Sequence, residues 1–254
     1  LTWSSADLIT HENKYFFGKS GVYGERSANF IVQNSDLIIT IGTRLSLLQI
    51  GYELQKFAPK AKIIMVDIDK KETNKFKSKR FLKINVDAEI FVNNLISNKF
   101  KFKKKQPNDW LKYCNKTKKE FPKIIKEHKL DKKLINSYVF VDKINSMIKK
   151  DEIVVTDMGT ALLTTFYALK IKNKIRLMSS LGLGEMGFGL PGAIGASIAS
   201  KKGSVLCMNG DGAMMFNLQE LETIQYHNLP IKIIIFSNDG YLSLKHTQKD
   251  SKGG

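Results

Sequence analysis

Short β-rich runs, each stopped by glycine, proline or a polar turn and separated by stretches that pattern as helix, constrain this chain more than any other feature. Leu37-Ile38-Ile39-Thr40-Ile41 stops at Gly42, and Lys62-Ile63-Ile64-Met65-Val66 follows a segment that reads as helix from Tyr52 to Phe57 and ends near Pro59. Phe81-Leu82-Lys83-Ile84 comes next, with Asp87 placed to cap a helix through Ile96. A second series opens with a helix near Tyr138 to Ile148 and the strand Ile153-Val154-Val155-Thr156. Strands from Arg176 to Ser179, Ser204 to Met208 and Ile231 to Phe236 complete it, with the small-residue helix Pro191 to Ala199 between the first two of these. Strands alternating with helices favour parallel sheets covered by helices. The expected fold is therefore α/β, with two open, mainly parallel sheets flanked by helices.

A chain of 254 residues, 43% of them hydrophobic, can supply two modest cores. The division expected is an α/β domain over 1–97, a Lys-rich, partly helical connection over 98–134, and a second α/β domain over 135–254. No apolar run approaches the roughly 20 residues of a membrane span. The chain opens at Leu1 without an initiator Met or a signal-peptide pattern, and it stops at Gly253-Gly254, so a longer protein is expected. Cys114 and Cys207 sit in unlike contexts and suggest neither a disulfide framework nor a zinc site, which fits a reducing cytoplasm.

The formal charge of +17 raises nucleic acid as a partner, but the basic residues argue against it. Arg, the residue suited to bidentate phosphate and base recognition, occurs only at positions 26, 44, 80 and 176. Between Asn98 and Lys133, 14 Lys face Asp109, Glu120, Glu127 and Asp131, so that 14 − 4 = +10 of the excess lies in one solvated stretch.

The segment richest in chemistry is Gly210-Asp211-Gly212 after one strand, paired with Asn238-Asp239-Gly240 at the end of the next. Strand carboxyl ends gather at one edge of an open parallel sheet, where ligands bind, so Asp211 and Asn238 are expected to converge. One carboxylate and one amide oxygen suit magnesium, which prefers hard oxygen ligands and takes the rest from phosphates and water. Flanking glycines let backbone N–H groups approach a diphosphate. Between the motifs, Asn217 and Glu220 are spaced as a capping box, and Asn228 with Pro230 marks a helix end. Upstream, Gly182-Leu183-Gly184-Glu185-Met186-Gly187 matches the dinucleotide fingerprint and leaves an NAD-binding dehydrogenase as an alternative.

Gly210-Asp211-Gly212, then 25 residues, then Asn238 resembles the signature of thiamine-diphosphate-dependent enzymes of the acetolactate synthase and pyruvate decarboxylase superfamily. The run from Ser179 through Gly195 is similar to the same family's loop under the cofactor. The resemblance implies thiamine diphosphate and Mg2+ as cofactors, with Asp211, Asn238 and the Gly240 carbonyl as metal ligands. Amides near Gly212 and Ala213, beside Gly210, would meet the diphosphate. The Gly184 carbonyl would accept from the cofactor's 4'-amino group, and Met186 would hold the bent shape that brings this nitrogen to the C2 proton. These two form the catalytic set implied here. Met186 on its own, without the resemblance, reads as core filler.

Gly18 to Gly24, Gly42-Thr43-Arg44 and Val66-Asp67-Ile68-Asp69 resemble the family's central domain, which binds FAD in acetolactate synthases; FAD is admitted here, beside a purely structural role for Arg44 and Asp67. The implied reaction is decarboxylation of a 2-keto acid followed by carboligation, with a non-ligating decarboxylase as the alternative. The family's pyrimidine-binding domain and its glutamate have no counterpart in this sequence. Because the family draws them from a second subunit, a homodimer or homotetramer is implied. Gly159-Thr160-Ala161 departs from the Gln and His that many acetolactate synthases carry there, and His246 reads as a surface residue beside a substrate-facing alternative.

Overall fold

The computed structural model describes residues 1–97, 108–130, 133–172, 174–201 and 203–252. It divides into two compact units, the first comprising Leu1–Trp3 and Phe17–Pro122, the second Ser4–Phe16 and Lys123–Gly254. Part of the expected Lys-rich connection, 98–107 and 131–132, lies outside the described residues.

In the first unit, helix α1 (Arg26–Gln33) precedes a parallel sheet of order β1-β2-β3, formed by Leu37–Ile41, Lys62–Asp67 and Phe81–Asn85. One face buries Ile63 and Met65 against Phe57, Phe76 and Phe81. The opposite face leaves Leu37, Ile39 and Leu82 exposed. The helix expected over Tyr52–Phe57 does not form. Instead α2 is the single turn Leu47–Ile50, ended by Gly51 at φ 77, and only a 3-10 turn, Leu54–Lys56, follows. Arg80 secures that turn by donating to the carbonyls of Leu54 at 3.1 Å and Ala58 at 2.7 Å. Carbonyls thus held by a guanidinium need no helical partners. After β2, α3 (Lys70–Asn74) is capped by Asp69, and α4 (Ala88–Ser97) begins where Asp87 accepts from Glu89 N at 2.8 Å, as the cap pattern predicts. Helix α5 (Asn108–Glu120) belongs to this unit; Cys114 is buried on it, and Phe121, just beyond its end, meets Phe30 of α1 at 4.6 Å between ring centres.

In the second unit, α6 (Ser137–Ile144) is capped by Asn136, whose side chain accepts from Tyr138 N and Val139 N. It leads into a parallel sheet of order β5-β4-β6-β7, formed by Arg176–Met178, Ile153–Thr156, Val205–Gly210 and Ile231–Phe236. Helix α7 (Thr160–Ala168) follows β4, and α8 (Gly189–Ala199) joins β5 to β6. The chain leaves β4 towards β5 on one side and returns to β6 on the other. The carboxyl ends of β4 and β6 therefore flank the topological switch point, the crevice where open α/β sheets bind ligands. Val155, Leu190, Ala193, Val205 and Cys207 form the core beneath it. Residues 4–16 also pack on this unit: His11 exchanges hydrogen bonds with Ile171 at 2.9 and 2.8 Å, and Asp7 accepts from Arg176 at 2.9 Å. That segment carries almost no regular structure, so periodicity gave no reason to separate it from the first domain. No described helix is long and apolar enough to cross a membrane.

Candidate functional site

Strand β6 continues through Gly210 directly into the one-turn helix α9 (Asp211–Met214), which projects Asp211 from the strand end. Its Oδ2 accepts from the backbone N–H groups of Asn238 and Gly240, both at 3.0 Å, and its Oδ1 from Gly212 at 2.8 Å. The loop after β7 is thus wrapped round this carboxylate. Burial pushes the Asp211 carboxyl up, but the N–H groups of Gly240, Asn238 and Gly212 outweigh it and hold the group below its ordinary value. Asp211 is therefore held as a carboxylate.

The Asn238 amide is fixed on one side only. Its Nδ2 donates to Thr160 Oγ1 at 3.0 Å, whereas Oδ1 is buried without a partner. An orphaned buried oxygen is costly, and a cation beside it would remove the cost. Met186, Gly210, Asp211, Gly212, Ala213, Asn238 and Gly240 line one cleft of about 60 Å³. Met158, Gly159 and Thr160, from the end of β4 and the start of α7, line it too. Gly184 stands two residues from Met186, outside that lining, with φ 73. Gly240 also has positive φ, 98, and its carbonyl accepts from Leu242 N at 3.0 Å.

Hard oxygen atoms of one carboxylate and one amide fit magnesium. Among the described residues no group of three or more His, Cys, Asp or Glu could hold a metal, so any ion here would draw on carbonyl, water or phosphate oxygen as well. The cleft has room for a few water-sized groups. A Cβ at Gly212 would lie 2.7 Å from Tyr241 Cε1, so only glycine admits the ring there. Tyr241 immediately precedes α11 (Leu242–Lys252), where His246 is exposed.

Sequence patterns missed Asp157. It follows β4 as Asp211 follows β6, is fully buried, and accepts from Met158, Gly187 and Gly189 N–H groups at 2.6–3.1 Å. Its strand-end position was the available signal. Asn217 was assigned wrongly: α10 (Glu220–Tyr226) starts without a capping box, and Asn217 ends a 3-10 turn from which Nδ2 donates to the Gly187 carbonyl at 2.7 Å. Both residues hold the Gly182–Gly187 loop. This also weakens the dinucleotide reading, because the Gly187 and Gly189 N–H groups already serve the protein's own carboxylate. That reading further needs a strand turning straight into a helix, and ten residues separate Met178 from Gly189.

Parallel strands that end in a carboxylate and a half-satisfied amide define an α/β protein whose candidate ligand site lies at the carboxyl edge of the second sheet. Residues 157–254 match the family described as "Thiamine pyrophosphate enzyme, C-terminal TPP binding domain", and residues 1–95 match "Thiamine pyrophosphate enzyme, central domain". The chain belongs to the thiamine pyrophosphate enzyme family. It is similar to the acetolactate synthase isozyme 1 large subunit of Escherichia coli (strain K12), with 32% identity over 98% of this chain and 43% of that protein. The acetolactate synthase large subunit of Cyanidium caldarium is 36% identical over 89% of this chain and 38% of its own length. A probable acetolactate synthase large subunit of Methanococcus aeolicus is 34% identical over 91% and 40%. The chain thus spans well under half the length of these relatives.

Proposed function

We propose that this chain supplies the diphosphate- and magnesium-binding part of a thiamine-diphosphate-dependent enzyme that decarboxylates a 2-keto acid and ligates the remaining fragment to a second carbonyl compound. The observation that carries this reading is the convergence of Asp211 and Asn238 at the switch point, with the Asn238 Oδ1 buried and unpartnered. The relatives' description as acetolactate synthases supports carboligation over simple aldehyde release.

On this reading Asp211, Asn238 Oδ1 and the Gly240 carbonyl would hold Mg2+, and Gly210, Gly212 and Ala213 would bring backbone to the diphosphate. The bound cofactor would supply the nucleophilic carbon and the electron sink. Gly184 and Met186 would orient its rings. We assign residues 1–97 to the central domain and 135–254 to the diphosphate domain. Flavin is admitted in this proposal as a ligand of the central domain, beside a structural role for Arg44, which pairs with Glu72 at 3.0 Å. A cytoplasmic homo-oligomer completes it; the buried free thiols of Cys114 and Cys207 suit a reducing compartment.

Calorimetric titration of thiamine diphosphate into the full-length protein, with and without magnesium, tests the reading beside Asp211→Ala. Magnesium-dependent binding that the substitution abolishes is expected. Binding indifferent to both metal and Asp211, or none to a folded protein, would refute it.

A further inference from the structure

Asp157 is a fully buried carboxylate answered by backbone N–H groups alone among the hydrogen bonds of its side chain. Gly187 N–H approaches both of its oxygens, at 3.0 and 3.1 Å, Gly189 N–H lies at 2.6 Å, and Met158 N–H at 2.7 Å. A buried charge is tolerated only where such donors compensate for lost water, and a helix N-terminus adds a favourable dipole. The Gly187 and Gly189 donors lie at the end of the 182–187 loop and the start of α8, so the loop cannot shift without baring the charge.

The seat is tight. A Cβ at Gly189 would lie 2.9 Å from Asp157 Oδ2 and 2.8 Å from Asn209 Nδ2. Asn217 holds the peptide between the Gly187 and Gly189 donors, its Nδ2 donating to the Gly187 carbonyl at 2.7 Å. Gly184 and Gly187, at φ 73 and 95, carry Met186 between them, and Met186 lines the cleft with Asp211.

We propose that Asp157 is the positioning residue for the organic part of the cofactor: by gripping the Gly187–Gly189 backbone it holds Gly184 and Met186 in place. Asp211 and Asn238 serve the diphosphate end. This inference rests on the proposed function and divides its binding site into two halves with separate supports.

The two halves are separable by ligand. Thiamine diphosphate contacts both, whereas inorganic diphosphate with magnesium reports on the Asp211 half alone. Both would be titrated into the full-length protein and into Asp157→Asn, Gly189→Ala and Asp211→Ala. Losing a charge-assisted hydrogen bond in Asp157→Asn, and crowding of the Asp157 carboxylate by the new Cβ in Gly189→Ala, predict about tenfold or greater weakening of thiamine diphosphate binding, with inorganic diphosphate unchanged within about twofold. Asp211→Ala should weaken both. Equal weakening of both ligands in Asp157→Asn and Gly189→Ala would make Asp157 a scaffold residue only and overturn the inference, as would unchanged thiamine diphosphate binding. Wild-type protein that binds neither ligand would instead defeat the proposed function itself, and the inference with it.

Discussion

Cys207 carries in one side chain the electrostatic character of the sheet beneath the site. Burial pushes its thiol up from 9.0 to about 12, and the nearby charge of Asp157 adds to the effect. The folded state therefore binds this proton more tightly than the unfolded state does. The stability linked to it is complete below pH 9.0 and is lost as pH rises through about 12. Because the thiolate is the reactive form, iodoacetamide at mildly alkaline pH should leave Cys207 unmodified in native protein and modify it after denaturation, as mass spectrometry would reveal. Modification of the native protein at the unfolded rate would contradict this burial. Among site residues, Asp211 and Asn238 were legible because each follows a strand within a glycine-bearing turn. Asp157 shares that strand-end position, but its role was not legible, since no linear spacing links it to amides 30 and 32 residues downstream.

At the scale of elements, α8 offers an internal comparison. A Cβ at Gly192 would lie 2.8 Å from the Phe188 ring and 3.2 Å from Val155 Cγ1, whereas one at Gly195 would meet nothing within 4 Å. Gly192→Ala should destabilise by about 1–3 kcal/mol through overpacking, and Gly195→Ala should stabilise by roughly 0.5–1 kcal/mol by restricting the unfolded chain. Urea midpoints at constant slope would show the opposite signs. Asn136→Ala should cost about 1 kcal/mol, because two N–H groups at the start of α6 lose their acceptor. Strand positions were readable from β-branched runs, while short helices were less so. The Tyr52–Phe57 helix failed because Gly51 ends one turn and Arg80 collects the next turn's carbonyls, a contact from a distant part of the sequence. The capping box failed for a similar reason: Asn217 finds a carbonyl 30 residues away in place of an N–H in its own turn.

For the molecule as a whole, ligand binding and stability are linked. Thiamine diphosphate with magnesium, at about 100 times its dissociation constant, should add roughly 2.7 kcal/mol to stability and raise the melting temperature. Asp211→Ala should abolish that rise, and scanning calorimetry of the full-length protein provides the check. The α/β class was legible from strand spacing alone, but the long-range contacts of residues 4–16 were not. Residues 4–16 join the second unit through Asp7 and His11, single polar contacts that leave no periodic trace.

That early segment has a consequence for how the chain is made. His11 leaves the ribosome long before Ile171, its partner 160 residues later, and Asp7 waits still longer for Arg176. The second unit can close only after the first unit's stretch has been synthesised in between. A protein trimmed to the span of its second unit's strands would thus emerge without its own opening strap, with the Ile171 amide and the Arg176 guanidinium left to water.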